Sequence, residues 1–208
     1  MVCGRTSSFS QSPVGSLLNV ANLITFSRLV VALGVLVCLE LAGAPGQLTL
    51  WMIWAAFWMF MYSALSDFAD GWVARKYGLE TSLGRVIDPF ADKFLICGTW
   101  ICLLRFAPHS SPLDQFLQTW MVVLIVSREF LVTTLRGVAE AQGFKFPADR
   151  LGKVKMVMQC TVVSAQLTMV AGVKTFDIVG TWGMVLTLVV TVVSGLGYVI
   201  KARPILSG

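Results

Sequence analysis

Apolar positions in this chain come in long unbroken blocks, not in the two-residue alternation of half-buried strands or the sparse stripe of a soluble amphipathic helix. The blocks fall at 27–42, 48–65, 90–106, 116–135, 154–173 and 178–200. About 20 apolar residues suffice for a helix to cross a bilayer. The pattern therefore predicts an all-α membrane protein, a bundle of six transmembrane helices. Gly43-Ala44-Pro45-Gly46 closes the first block and Ala107-Pro108 the third, both sequences that stop a helix. Residues 1–21, rich in Ser and Gly at their start, predict a mobile tail and a short interfacial helix over 13–20. Residues 22–208 form one transmembrane domain.

Composition agrees. Of 208 residues, 56% are hydrophobic and 13% charged, too apolar for an ordinary soluble domain. The net charge of +5 is then a matter of membrane sidedness, and no nucleic-acid partner is expected. An even number of spans leaves both termini on one side. That side collects Arg5, Arg75, Lys76, Arg85, Lys145, Arg150, Lys153, Lys155, Lys201 and Arg203, which makes it cytoplasmic in a multi-pass membrane protein. The opposite loops hold Arg105 and Lys174 with Asp114 and Asp177. Cys3, Cys38, Cys97, Cys102 and Cys160 are scattered through the chain without a metal-binding spacing and read as buried small hydrophobes. A cleaved leader with 29–41 as its core fits poorly, because a long polar stretch precedes Arg28 and Glu40 interrupts the core.

Chemistry concentrates after the second block. Asp67 and Asp70 are three residues apart on the continuing helix, and Asp88 and Asp92 are four apart at the start of the next, so each pair shares a helix face. Pro89 suits the first turn of that third helix. One charge at membrane depth costs several kcal/mol, and four of one sign on neighbouring helices repel strongly unless they are protonated or hold cations. All-oxygen ligation suits Mg²⁺ or Mn²⁺, two ions being plausible for four carboxylates, with a phosphate ester or anhydride as the shared ligand. Interfacial capping and pairing with Arg75 and Lys76 explain each aspartate singly, but not all four together. A divalent-cation transporter is the rival from another class; it needs acidic groups reachable from both faces, and these lie near one.

The run Asp67-x-x-Asp70-Gly71-x-x-Ala74-Arg75, then Gly84-x-x-x-Asp88-x-x-x-Asp92, resembles the signature of the CDP-alcohol phosphotransferase family at every fixed position. The resemblance implies a six-helix membrane enzyme, usually a homodimer, that cleaves a CDP-linked donor and releases CMP. It implies Asp67, Asp70, Asp88 and Asp92 as metal ligands, with Asp92 also the general base. It also implies CDP binding by Asp67, Gly71, Ala74, Arg75, Thr81 and Gly84.

The second half carries Arg128 and Arg136, eight residues and about two helical turns apart, and then Lys153 and Lys155 at the start of the next helix. As a group these cations suit an acceptor that itself bears phosphate; the alternative is that they mark topology only. Arg128-Glu129, Leu135-Arg136, Gly152-Lys153-Val154-Lys155 and Gln159, with Asn22-x-x-Thr25-x-x-Arg28 near the start, are similar to the branch of the family that uses CDP-diacylglycerol and glycerol 3-phosphate. In that comparison Asn22, Thr25, Arg28, Glu129 and Gln159 are supporting residues. Sister branches take phosphatidylglycerol or inositol phosphate as acceptor. Trp51, Trp54, Trp58 and Trp72 read as belt and lipid-facing positions, and Gly180, Gly183, Gly195 and Gly197 as places where helices can approach closely.

Overall fold

A computed structural model describes residues 20–43, 49–77, 82–106, 117–142 and 150–206. They form six α-helices: α1 (Val20–Ala42), α2 (Leu50–Tyr77), α3 (Ser82–Leu103), α4 (Thr119–Ala141), α5 (Arg150–Val170) and α6 (Asp177–Leu206). Among the described residues there is no strand. Most of each apolar block lies on one of these helices, but α2 and α3 overrun their blocks toward the residues that carry chemistry. α2 continues twelve residues past position 65 and takes Asp67, Asp70 and Arg75 with it, while α3 starts eight residues before position 90 and takes in Gly84 and Asp88.

Pro89 is a correction. It is the eighth residue of α3, not part of its first turn. Its ring removes one backbone bond inside the helix, which neighbouring helices and local adjustment make tolerable in membrane bundles. The interfacial helix expected over 13–20 lies outside the described residues, apart from Val20, which opens α1.

The six helices pack as two trios. α1 lies against α2 and α3, α6 lies against α4 and α5, and α5 joins the halves by touching α2 and α3. The shared core includes Val35, Phe60, Trp100, Ile125, Val163 and Met184. Gly183 lets α6 close on α5: an added Cβ there would stand 2.6 Å from Val162 Cγ2. Gly180 and Gly195 are crowded in the same way, whereas Gly197 faces open space. α5 ends in a Schellman turn, with Val173 N donating to Thr168 O, Gly172 N donating to Met169 O, and Gly172 at φ +87°.

Large apolar side chains cover the outside of the bundle as well as filling its core. Trp51, Trp58, Trp182, Ile178 and Val157 face outward, whereas Arg128, Lys155, Gln159, Gln166, Thr187 and Thr191 are buried. A monomer in water rarely exposes so much contiguous apolar surface. Inside, hydroxyls return their bonds to their own helix, as Thr99 Oγ1 does to Leu95 O at 2.7 Å and Ser164 Oγ to Cys160 O at 2.7 Å. Gln166 Nε2 donates across to Gly180 O at 2.9 Å. By length and composition, one stretch among the described residues, Lys174–Ile200, can cross a membrane. Of the cysteines, Cys97 is buried, but Cys38, Cys102 and Cys160 are only partly so, because they sit at the edges of helix contacts. Glu40 is not stranded in apolar surroundings: it pairs with Arg105 and ties α1 to the turn after α3.

Candidate active site

The C-terminal end of α2, the N-terminal ends of α1, α3 and α5 and the C-terminal ends of α4 and α6 share one end of the bundle, opposite the Glu40–Arg105 pair. Asp92 lines a narrow crevice there with Arg28 of α1, Ser63 and Ala64 of α2, Ala91 and Leu95 of α3, and Cys160 of α5. Asp67 follows Ser63 by four residues along α2, one helical turn. The side chains of Asp67, Asp70, Gly71, Ala74, Arg75, Gly84 and Asp88 lie outside the described residues, as do those of Asn22, Thr25 and Lys153 and the whole of Thr81. Among the described residues no three His, Cys, Asp or Glu side chains cluster.

The cations of the second half meet beside this crevice. Lys155, 5% exposed, lies close enough to Asp92, Lys93 and Arg128 for each to act on its charge. Its ammonium pairs with Glu129 of α4, and Arg128 Nη1 stands 3.5 Å from the same carboxylate oxygen. From Glu129 the network passes to α6. Arg128, 8% exposed, donates through Nη2 to Ser194 Oγ, and Arg136 Nη2 donates to Tyr198 Oη at 3.0 Å. Both guanidinium carbons sit 5.8 Å from the centroid of the Tyr198 ring, within cation–π range. Two cations thus share the Glu129 carboxylate, and a third, Arg136, joins Arg128 at the Tyr198 ring. Burial of unbalanced charge is costly, and the site is electrostatically suited to an anion.

Several buried donors also await a partner. Arg128 Nε, Arg136 Nε and Gln159 Nε2 have no hydrogen-bond acceptor among the described residues, and an unsatisfied buried donor costs about 1–3 kcal/mol. Lys155 differs from the arginines in this respect, because its ammonium pairs with Glu129. Sequence reasoning missed Ser194 and Tyr198, and read Gly195 only as a place of close helix approach. The available signal was a tyrosine one turn beyond a serine in an otherwise apolar last helix.

A second feature opens from the crevice. An almost wholly apolar groove of about 560 Å³ runs between α2 and α5 to the start of α6, past Phe57, Met61, Val157, Thr161 and Phe176. Ala64 and Cys160 line both it and the Asp92 crevice, so the two are contiguous.

A polar crevice continuous with an apolar groove, beside a buried excess of cations, is an arrangement for a ligand with an anionic head and an apolar tail. Against known proteins, the family model described as CDP-alcohol phosphatidyltransferase matches residues 18–193. The chain belongs to that family. Among the family's curated members, a CDP-diacylglycerol–glycerol-3-phosphate 3-phosphatidyltransferase of Bacillus subtilis is 39% identical over 109 residues, 52% of each chain. One of the same name from Rickettsia felis is 34% identical over 142 residues, 67% of this chain and 74% of the relative. A probable phosphatidylglycerophosphate synthase of Mycobacterium tuberculosis is 31% identical over 184 residues, 88% of this chain and 81% of the relative. The family match spans all six helices, including α2 and α3 with their aspartates and α6 as far as residue 193.

Proposed function

We propose that this CDP-alcohol phosphatidyltransferase moves the phosphatidyl group of CDP-diacylglycerol to glycerol 3-phosphate, giving phosphatidylglycerophosphate and CMP. The observation that carries the choice of acceptor is the pair of buried Arg128 and half-buried Arg136, whose Nε donors have no partner among the described residues and whose charge exceeds what Glu129 balances. An acceptor without phosphate would leave that charge uncompensated. The three relatives named above carry the same reaction in their names.

The protein works from the cytosolic end of six transmembrane helices in the bacterial inner membrane, as a homodimer with both termini in the cytosol. The outward-facing Trp51, Trp58, Trp182 and Ile178 support the lipid-embedded reading, since such residues are at home against acyl chains and interfaces. CDP-diacylglycerol enters sideways with its tails along the α2–α5 groove. Its cytidine is seated by Gly71, Ala74 and Gly84, with Arg75 and Thr81 at the nucleotide. Asp67, Asp70, Asp88 and Asp92 would hold two Mg²⁺ or Mn²⁺ ions, a donor set of oxygens that suits hard cations bridged by phosphate. When bound, the ions neutralise the diphosphate and polarise the attacked phosphorus.

Arg128 and Arg136, with Lys153 nearby in the chain, hold the phosphate of the acceptor. Lys155 neutralises Glu129 and so leaves the arginines their full charge. Asp92 takes the proton from the acceptor hydroxyl as its oxygen bonds to the phosphatidyl phosphorus, and the bond from that phosphorus to CMP breaks. Arg28 lines the crevice with Asp92 and adds positive charge beside the reacting groups. Asn22, Thr25 and Gln159 support the walls of the site.

A product assay by mass spectrometry tests this reading. Purified protein in mixed micelles with CDP-diacylglycerol and Mg²⁺ is offered glycerol 3-phosphate, phosphatidylglycerol, inositol phosphate or serine. Phosphatidylglycerophosphate from the first is the expected product; cardiolipin or an inositol phospholipid in its place would reassign the acceptor.

A further inference from the structure

The last helix holds the two arginines in a way that no motif on α2 to α5 accounts for. Arg128 reaches α6 between Ser194 and Tyr198, where residue 195 is glycine. An added Cβ at Gly195 would stand 3.1 Å from Arg128 Cγ and 3.7 Å from its Nε, so the arginine stem lies directly across the helix surface. Ser194 Oγ accepts from Nη2. One turn on, the ring of Tyr198 lies 5.8 Å from the guanidinium carbons of both Arg128 and Arg136, and its hydroxyl accepts from Arg136 Nη2 at 3.0 Å.

We propose that Tyr198 is the positioning residue of the acceptor-phosphate site, the ring on which Arg128 and Arg136 are set side by side so that their free N–H edges converge on one phosphate. The inference rests on the transfer reading above. Two guanidiniums brought to one ring repel each other, and the ring's π face offsets only part of that repulsion. A phosphate dianion offsets the rest and accepts from two planar forks at once. The buried, unpartnered Nε atoms of both arginines are the donors it would engage. Because Lys155 is bound to Glu129, discrimination for the phosphate falls to the arginines, and their spacing falls to α6.

The test uses the full-length protein in detergent, as wild type and as Tyr198→Phe, Tyr198→Leu and Gly195→Ala. Tyr198→Phe keeps the ring and loses one hydrogen bond, so KM for glycerol 3-phosphate rises about 3- to 10-fold. Tyr198→Leu loses the ring as well, and the rise is about 10- to 100-fold. Gly195→Ala displaces the Arg128 stem and falls between these. KM for CDP-diacylglycerol, kcat and the thermal midpoint stay at wild-type values in Tyr198→Phe. An unchanged KM for glycerol 3-phosphate in Tyr198→Leu, or a parallel loss of every parameter in Tyr198→Phe, would overturn the proposal. If the wild type does not use glycerol 3-phosphate, the transfer reading is what fails, and calorimetric titration with inorganic phosphate decides this one. Weaker phosphate binding by Tyr198→Leu upholds the role of α6, and equal binding removes it.

Discussion

Glu129 carries the electrostatics of the second half of the site. It meets Lys155 and Arg128 at once with a side chain only 12% exposed. Removing one partner of a buried pair leaves the other charge uncompensated, a loss of about 3–5 kcal/mol, whereas replacing both by apolar groups is often close to neutral. Glu129→Gln should therefore lower stability by about that amount in thermal unfolding, and Glu129→Gln with Lys155→Met should recover most of it. Equal destabilisation of the single and double variants would show that the pair is not what Lys155 depends on. At this scale the sequence was informative where residue type alone was eloquent: an arginine deep in an apolar block demands a purpose. It was silent on Tyr198 and Ser194, which are ordinary residues in a helix until the fold brings α4 across them. Nor did it separate Lys155 from the arginines, because only three-dimensional packing decides which cation spends its charge on Glu129.

Helix ends decide what the elements can do. The apolar blocks marked where each helix is greasy, and the structure carries α2 and α3 well beyond them. Hydropathy could not see this, because the added turns are polar. Pro89 was placed at a helix start for the same reason, since a helix boundary was inferred where the apolar run began. The α5–α6 connection shows a different limit: Gly172 at φ +87° terminates α5, yet no apolar or charge pattern singles it out. Gly172→Ala should cost about 1–2 kcal/mol of stability with CMP release unaltered, because the turn lies at the end of the bundle away from Asp92; unfolding midpoint and activity measured together check both halves of the statement. The α2–α5 groove makes a separate prediction. Thr161, exposed on its floor, replaced by Trp should raise KM for CDP-diacylglycerol about 10-fold, the scale of a few methylenes displaced, while KM for glycerol 3-phosphate stays unchanged. A shift in the second constant instead would move the groove away from the lipid.

Across the whole molecule, two trios of helices build a site that neither contains. α1, α2 and α3 bring Arg28 and Asp92 to one crevice, α4 and α6 bring the arginines to one ring, and α5 joins them through Lys155 and Cys160. In the proposed reaction the donor lies on the α1–α3 side and the acceptor on the α4–α6 side, with Asp92 at the seam. Sequence reasoning reached both sides separately, since each is a local pattern along the chain. Their apposition depends on long-range packing of α5 against α2 and α3, which no spacing encodes.

The central claim is that aspartates of α2 and α3 hold divalent cations for transfer to an acceptor oriented by the arginines. CMP release from CDP-diacylglycerol and glycerol 3-phosphate measures it most directly, in the wild type and in Asp67→Asn, Asp70→Asn, Asp88→Asn and Asp92→Asn, with chelator and then with added Mg²⁺ or Mn²⁺. The account predicts release from the wild type only when metal is restored, and a fall of about 10²- to 10⁴-fold in Asp92→Asn with unfolding unchanged. Release that continues in chelator, or that survives in all four variants, would contradict it.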